Sequence, residues 1–147
     1  MNAHTFAILP ISAEETLPLR LAVLRPGLPR ESALFAEDSR AVHFGAFAEG
    51  VLVCIASLLQ ENLPGNTPTG WRLRGMATAQ IARGRGAGSA ILQTCSDYAT
   101  QRGGAILWCN ARSEAAAFYA KNGFAIRGDE FEIAGVGPHF VMWKTLN

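Results

Sequence analysis

The first apolar and polar positions of the chain predict a strand followed by a helix. Residues 5–9 form a short apolar run that is ended by a proline. Ser12 and Glu15 have the spacing of a capping box, in which each side chain binds a backbone N–H at the start of a helix. The predicted helix carries leucines 17, 21 and 24 at helical spacing. Because Pro18 would also fit a first helical turn, Thr16 is an alternative N-cap.

The remaining pattern alternates strand-like and helix-like segments between turns rich in glycine and proline. Residues 27–40 fit either a loop or a broken helix. Helices are predicted from the glycine-rich residues 83–88 to Gly103, and over residues 113–122. The predicted strands are 41–48, 51–59, 71–78, 105–110, 124–127 and 140–145. The order of elements is therefore β-α-β-β-β-α-β-α-β-β.

Composition narrows the class of protein. A chain of 147 residues fits one domain, and we expect residues 1–147 to form it. Hydrophobic residues make up 49% and charged residues 17%, which is typical of a folded, soluble protein. With 13 basic and 12 acidic residues, the net charge of +1 disfavours nucleic acid or a membrane surface as a partner. The sequence has neither a long apolar run nor a signal-peptide pattern.

Cysteine and histidine usage argues against disulfides and metal sites. The three cysteines are an odd number without a C-x-x-C pair, and each lies among apolar residues. We interpret them as reduced, buried thiols, which favours a cytoplasmic protein. The three histidines are scattered, so the sequence predicts no metal cofactor.

A glycine-rich turn between a strand and a helix carries the clearest chemical signal. In Arg83-Gly84-Arg85-Gly86-Ala87-Gly88 the glycines let a ligand approach the backbone, and the arginines add positive charge. A helix N-terminus also presents unpaired N–H groups to an anion. The turn therefore predicts a pyrophosphate site. It does not fit the Walker pattern, because neither of the two lysines is nearby, and the dinucleotide fingerprint lacks its third glycine at Ser89.

The turn instead satisfies [QR]-x-x-G-x-[GA], as Arg83-x-x-Gly86-x-Gly88. Together with the segments 73–78, 107–110 and 116–124, it resembles the GNAT (Gcn5-related) N-acetyltransferase superfamily over about residues 40–145. The resemblance implies an α+β fold, the GNAT fold, with a mixed, mostly antiparallel sheet of six to seven strands flanked by helices. In that fold the fourth and fifth strands splay apart, and pantetheine pairs with the exposed backbone.

The same resemblance implies acetyl-CoA as co-substrate and names the residues that would hold it. The amides of Met76, Ala77 and Thr78 would face the pantetheine and the thioester. The amides from the loop into the first helical turn would hold the pyrophosphate: Arg83, Gly84, Arg85, Gly86, Ala87, Gly88 and Ser89. Asn110 would reach the cofactor from the fifth strand, although it could instead be a turn residue that caps the next helix.

Tyr119 is the catalytic residue that the resemblance implies. In the family, a tyrosine at this place protonates the departing thiolate, and a phenol with an ordinary pKa near 10 is protonated at pH 7. The alternative is an aromatic residue packed in the core, the interpretation we favour for at least two of the three tryptophans.

This chain has no clear counterpart of the general base found in the family, because Arg72 stands where several family members carry a glutamate. The weak candidates for a base are His139, Asp129, Glu130 and Glu132.

The predicted activity is acetyl transfer from acetyl-CoA to a primary amine of a small molecule or peptide, by direct attack in a ternary complex. A homodimer is compatible with the resemblance. Arg20 and Arg25 could recognise an anionic acceptor or could be solvated surface residues. Two alternatives stay open: a non-catalytic domain that binds acyl-CoA, and a transferase that uses a different acyl donor.

Overall fold

In the computed structural model, residues 6–65 and 69–146 are described, and they form seven strands and three α-helices. In chain order these are β1 Ala7–Ile11, α1 Ala13–Leu19, β2 Val42–Ala48, β3 Val51–Gln60, β4 Gly70–Thr78, α2 Ala87–Gln101, β5 Ile106–Arg112, α3 Ala116–Lys121, β6 Ala125–Ile133 and β7 Gly137–Thr145. The hydrogen-bonded strand order is β1-β2-β3-β4-β5-β7-β6. The pairs β1–β2, β2–β3, β5–β7 and β6–β7 are antiparallel, and β4–β5 is parallel. The predicted mixed, mostly antiparallel sheet is confirmed.

Contacts divide the chain into two compact units. The first unit contains the described residues up to Leu59 together with Leu73–Asp97. It includes β1 to β3, most of β4 and most of α2. Its largest fully buried apolar side chains are Ile55, Leu58, Leu59, Leu73, Ile91 and Leu92.

The second unit contains Gln60–Arg72 and the described residues from Tyr98 onward. Its parallel ladder joins Gly70, Trp71 and Arg72 of β4 to residues 106–108 of β5. Trp71 and Trp108 are buried and Trp143 is half-buried, so the prediction that at least two tryptophans pack in the core is confirmed.

The first strand extends beyond its predicted end, and the first helix begins as predicted. Strand β1 continues through Pro10, which lies opposite Phe44 in the ladder with β2. Proline is tolerated there because β1 is an edge strand, where one side of the backbone needs no partner. The capping box is confirmed: the Ser12 amide donates to Glu15 Oε1 at 2.8 Å, and the Glu15 amide donates to Ser12 Oγ at 3.1 Å. Ser12 is therefore the N-cap rather than Thr16.

The first helix ends in a π-helical turn, Arg20–Leu24, which changes the face that it buries. The buried residues of α1 and this turn are Thr16, Leu17 and Arg20, whereas Leu21 and Leu24 are only half-buried. Residues 27–40, predicted as a loop or a broken helix, contain two short 3-10 turns, Arg30–Ala33 and Asp38–Arg40.

The last helix is shorter than predicted, and the last two strands are longer. Ser113–Ala115 forms a 3-10 turn before α3, and the Ser113 hydroxyl donates to Glu130 Oε2 at 2.6 Å instead of capping a helix. Strands β6 and β7 form a hairpin closed by residues 134–136. Within the described ranges, no helix is long and apolar enough to cross a membrane.

Candidate functional site

The glycine-rich turn is anchored where it leaves β4 and is exposed where it reaches α2. The Ala79 amide donates to the Val53 carbonyl at 2.7 Å, and a 3-10 turn, Gln80–Ala82, buries Ala82. Residues 83–86 that follow are all exposed. The start of the loop is therefore fixed, and residues 83–86 are open to a ligand, as an anion-binding loop requires.

The backbone of the exposed loop requires glycine at two positions. Gly84 and Gly86 have φ angles of 78° and 89°, a region that residues with side chains rarely adopt. A Cβ built on either glycine meets no protein atom within 4 Å. The Ala90 amide donates to the Gly86 carbonyl at 3.0 Å, so α2 begins directly after Gly86. The amides of the first turn of a helix have no intrahelical acceptor and can bind an anion.

Strand β4 contains a backbone irregularity just before the residues expected to face the thioester. Gly75 has a φ of 64°, which a strand residue does not normally adopt. A Cβ at this position would lie 3.1 Å from the Phe35 ring and 3.3 Å from Arg20 Nε. Because Gly75 has no side chain, the Phe35 ring can pack closely against β4 at this position.

Met76, Ala77 and Thr78 are the last three residues of β4 and belong to the same unit as the glycine-rich turn. The Ala77 side chain is buried, and the Thr78 hydroxyl lies 3.2 Å from Cys54 Sγ. These contacts fix the side chains of the strand end. The first unit thus brings the predicted thioester-facing residues and the predicted pyrophosphate loop together.

The three cysteines are free and buried. Burial raises the pKa of Cys54 to about 11, although the hydrogen bond with Thr78 opposes the shift. Burial also raises the pKa of Cys95. Because the thiolate is the reactive form, thiols in such surroundings are poor nucleophiles.

Tyr119 is buried in the second unit, in α3, and packs between two aromatic rings. Its ring lies 5.1 Å from that of Phe118 and 5.3 Å from that of Phe124, both edge-on. Burial raises the pKa of Cys109 to about 12, opposed by a hydrogen bond from the Tyr119 side chain. The phenol is therefore held in a fixed position, with its polar end at a sulfur atom of β5.

Asn110 lies inside β5, half-buried and opposite Val141 of β7. The strand continues for two residues to Arg112, and the 3-10 turn after it has no side-chain cap. The alternative role of Asn110 as a cap for the next helix is therefore wrong.

The weak candidates for a general base lie in the hairpin of β6 and β7 in the second unit. His139 is buried, its Nδ1 lies 2.7 Å from the Gly137 carbonyl, and its ring lies 5.9 Å from that of Phe131. Asp129, Glu130 and Glu132 are exposed on β6. These contacts of the imidazole are typical of a histidine with a structural role.

Arg72 stands where several members of the resembled family carry a glutamate, and it is paired with a carboxylate of its own unit. Its Nη1 lies 3.3 and 3.5 Å from the two carboxylate oxygens of Glu61. The guanidinium also lies 5.2 Å from the centre of the Trp108 ring, whose indole N–H donates to the Glu61 carbonyl. Arg72 and Glu61 thus neutralise each other beside a buried tryptophan.

Arg20 does not face an acceptor. It is fully buried, and its guanidinium donates to the Ala33 carbonyl, to both oxygens of Asp38 and to Ser57 Oγ. The hypothesis that Arg20 recognises an anionic acceptor is therefore wrong. Arg25 is half-buried and donates to the Leu24 carbonyl at 3.1 Å.

Sequence reasoning missed the residues around Phe35. Its ring lies 4.0 Å from the Arg20 guanidinium carbon and 4.1 Å from that of Arg74. Arg74 donates to Glu37 Oε1 at 2.6 Å. The sequence offered one signal for this cluster, an aromatic residue at position 35 followed by acidic residues at positions 37 and 38. It lies in a segment without clear periodicity. Across the described ranges, no group of three or more metal-ligating side chains occurs.

Comparison with known proteins shows which family the chain resembles. The sequence profile of the family described as the Acetyltransferase (GNAT) domain matches residues 28–146. The uncharacterized N-acetyltransferase YitI of Bacillus subtilis (strain 168) is 38% identical over 139 residues, which are 92% of this chain and 93% of that protein.

Two solved structures are similar in fold. The IAA acetyltransferase from Bacillus cereus ATCC 14579 superimposes with a TM-score of 0.75 at 20% identity, covering 97% of this chain and 100% of that one. An aminoglycoside 6'-N-acetyltransferase complexed with coenzyme A has a TM-score of 0.72 at 17% identity, covering 95% and 96% of the two chains.

Proposed function

The chain belongs to the GNAT family of acetyltransferases, and we propose that it transfers the acetyl group of acetyl-CoA to a primary amine. The observation that carries this proposal is the exposed loop of residues 83–86. The segment leading to it is hydrogen-bonded to β3 where it leaves β4, and the loop opens α2 at its other end. We also propose that residues 1–147 form a single domain and that the protein is cytoplasmic.

The donor is bound by backbone amides of the first unit. The pyrophosphate lies on the loop and the first turn of α2, where bare glycines admit it and Arg83 and Arg85 add positive charge. The amides of Met76, Ala77 and Thr78 bind the pantetheine and the thioester oxygen. Amides that are fixed before the reaction stabilise the negative charge that develops on that oxygen. Asn110 in β5 contributes a further contact to the cofactor.

Tyr119 is the acid of the reaction. The amine nitrogen attacks the thioester carbon, a C–N bond forms, and the C–S bond breaks. As the C–N bond forms, the nitrogen loses one N–H proton to water. The departing thiolate takes the phenol proton of Tyr119, and the phenol then regains a proton from water. The aromatic contacts of Tyr119 support this role, because a general acid must be held in a fixed orientation.

Direct transfer is favoured over an acetyl-cysteine intermediate. Burial raises the pKa of each of the three cysteine thiols, and this disfavours the thiolate that would have to attack the donor. The acceptor is a small molecule or a peptide with a primary amine. A similarly folded structure carries the name of an aminoglycoside acetyltransferase, and a small-molecule acceptor is compatible with that likeness.

The experiment that tests this function is the release of the CoA thiol from acetyl-CoA over a panel of primary amines, with the acetylated products identified by mass spectrometry. Calorimetry with acetyl-, propionyl- and succinyl-CoA defines the donor. Tight acetyl-CoA binding without turnover of any amine would favour a non-catalytic acyl-CoA-binding domain instead. Preferential binding of a longer acyl-CoA would favour a different donor.

A further inference from the structure

Glu37 supplies a carboxylate at β4 that no sequence motif predicted. Its Oε1 accepts a hydrogen bond from Arg74 Nη1 at 2.6 Å, and both side chains are about one-quarter exposed, at 26% and 28%. Arg74 precedes Met76, a residue of the proposed thioester site, by two positions in the same strand. Two residues of extended chain span about 7 Å at most, so the ion pair is close to the proposed donor site.

The segment that carries Glu37 is held in place by a buried guanidinium. Arg20 Nη1 donates to the Ala33 carbonyl at 2.9 Å and to Asp38 Oδ2 at 2.8 Å, so that one side chain binds both ends of residues 33–38. The Phe35 amide donates to the same Asp38 oxygen at 3.2 Å. Glu37 lies inside this closed segment, and its backbone is therefore fixed.

The Phe35 ring fixes the position of the other partner. The guanidinium carbons of Arg20 and Arg74 lie 4.0 and 4.1 Å from its centre. Cation–π contacts of this kind favour one orientation of the arginine. Arg74 therefore holds Glu37 in a defined position near the strand.

One carboxylate oxygen of Glu37 is left for another donor. Arg74 binds Oε1, and Oε2 accepts no hydrogen bond from the residues that the structure describes. By contrast, Glu61 of the second unit has both oxygens within 3.5 Å of Arg72 Nη1. A partly exposed carboxylate oxygen can accept an N–H bond from an amine.

We propose that Glu37 is the general base of the reaction, the carboxylate that binds the acceptor amine through Oε2 and takes its proton. This inference rests on the proposed acetyl transfer. The alkylamine arrives as an ammonium ion, and Glu37 takes one proton from it, which frees the lone pair of the nitrogen. As the nitrogen bonds to the thioester carbon, a second N–H bond breaks and its proton passes to water. The thiolate that leaves with the C–S bonding pair takes the proton of Tyr119. Glu37 then returns its proton to water, and Tyr119 regains one, so the charges balance over a turnover.

The test compares two kinds of acceptor in the intact protein. An alkylamine has a pKa of about 10 and must be deprotonated, whereas an arylamine is uncharged at neutral pH. With Glu37→Gln we expect kcat for the best alkylamine of the panel to fall by roughly 10²-fold, the usual contribution of one base. The kcat for an arylamine should fall much less, and the Kd for acetyl-CoA should not change.

Three further variants separate catalysis from structure. Glu31→Gln, at an exposed acidic residue of the same region, should behave as wild type. Arg74→Gln breaks the same ion pair but keeps the carboxylate, so its loss should be clearly smaller than that of Glu37→Gln. Glu37→Asp should recover part of the alkylamine activity.

The role of Glu37 would be overturned, while acetyl transfer stands, by any of three results. These are an equal loss of kcat with both kinds of amine, an equal loss in Glu37→Gln and Arg74→Gln, or no loss at all in Glu37→Gln. A wild-type protein that acetylates no amine would instead overturn the proposed function and this inference with it.

Discussion

Arg20 and Asp38 form an ion pair with two hydrogen bonds, 2.8 and 2.9 Å long, in which the guanidinium is fully buried and the carboxylate is 15% exposed. Breaking such a pair leaves a buried charge without compensation. Asp38→Asn should therefore lower the free energy of unfolding by about 3 kcal/mol, measured by chemical denaturation. The control is Glu14→Gln, because Glu14 and Arg30 form an exposed pair at 3.9 Å. A loss of similar size in the control would contradict the assignment.

The same pair predicts how stability depends on pH. Burial alone would raise the pKa of Asp38, but the hydrogen bonds and positive charge of Arg20 outweigh it, so that the pKa lies below its ordinary value. A carboxyl whose folded pKa is lowered stabilises the protein above its unfolded pKa of about 4, and this contribution is lost as the pH falls through the folded pKa. The difference in unfolding free energy between wild type and Asp38→Asn should shrink over that acidic range. A difference that does not change with pH would contradict the prediction.

Gly86→Val tests the donor loop. A valine at a φ of 89° strains the backbone and places a branched side chain where the pyrophosphate would approach. We expect the acetyl-CoA Kd to rise about tenfold or more, as calorimetry would measure, through the loss of several N–H contacts. Gly103→Val is the matched control, since Gly103 has a φ of 79° and an equally open Cβ position. Unchanged binding by a folded Gly86→Val protein would remove the pyrophosphate assignment.

Tyr119→Phe removes the proposed acid and keeps the aromatic packing against Phe118 and Phe124. We expect kcat to fall by roughly 10²-fold with little change in KM for acetyl-CoA. An acyl donor whose thiol has a low pKa should restore much of the rate, because its thiolate leaves without needing a proton. Thermal stability is measured alongside. A kcat near that of wild type would mean that Tyr119 is a packing residue.

Gly75→Ala tests the close contact between β4 and Phe35. A left-handed conformation costs a residue with a side chain about 1–2 kcal/mol, and the added Cβ would lie 3.1 Å from the Phe35 ring. Gly50→Ala carries the same backbone strain at a φ of 81°, without any atom within 4 Å of the new Cβ. The Gly75 variant should therefore unfold at lower denaturant concentration than the Gly50 variant. Equal stability of the two would mean that the ring moves aside freely.

The sequence by itself determined the features that depend on neighbouring residues. The capping box of Ser12 and Glu15 forms as predicted. The two strands predicted over residues 41–48 and 51–59 also form, as β2 and β3. The glycine-rich turn likewise opens α2 as predicted, because its φ angles and the helix start depend on only a few consecutive residues. The resemblance to the GNAT superfamily that these motifs carry was also enough to predict the fold class.

Only the tertiary structure decided where the charged side chains lie. Arg20 has an ordinary surface pattern in the sequence, yet it is fully buried because Asp38 and Ser57 come to it from distant positions. Glu37 and Arg74 are 37 residues apart and meet because the chain returns along β4. Ion pairs of this kind have no local periodicity. They form when strand pairing brings distant residues within hydrogen-bond distance, and a linear pattern of residues carries no record of that distance.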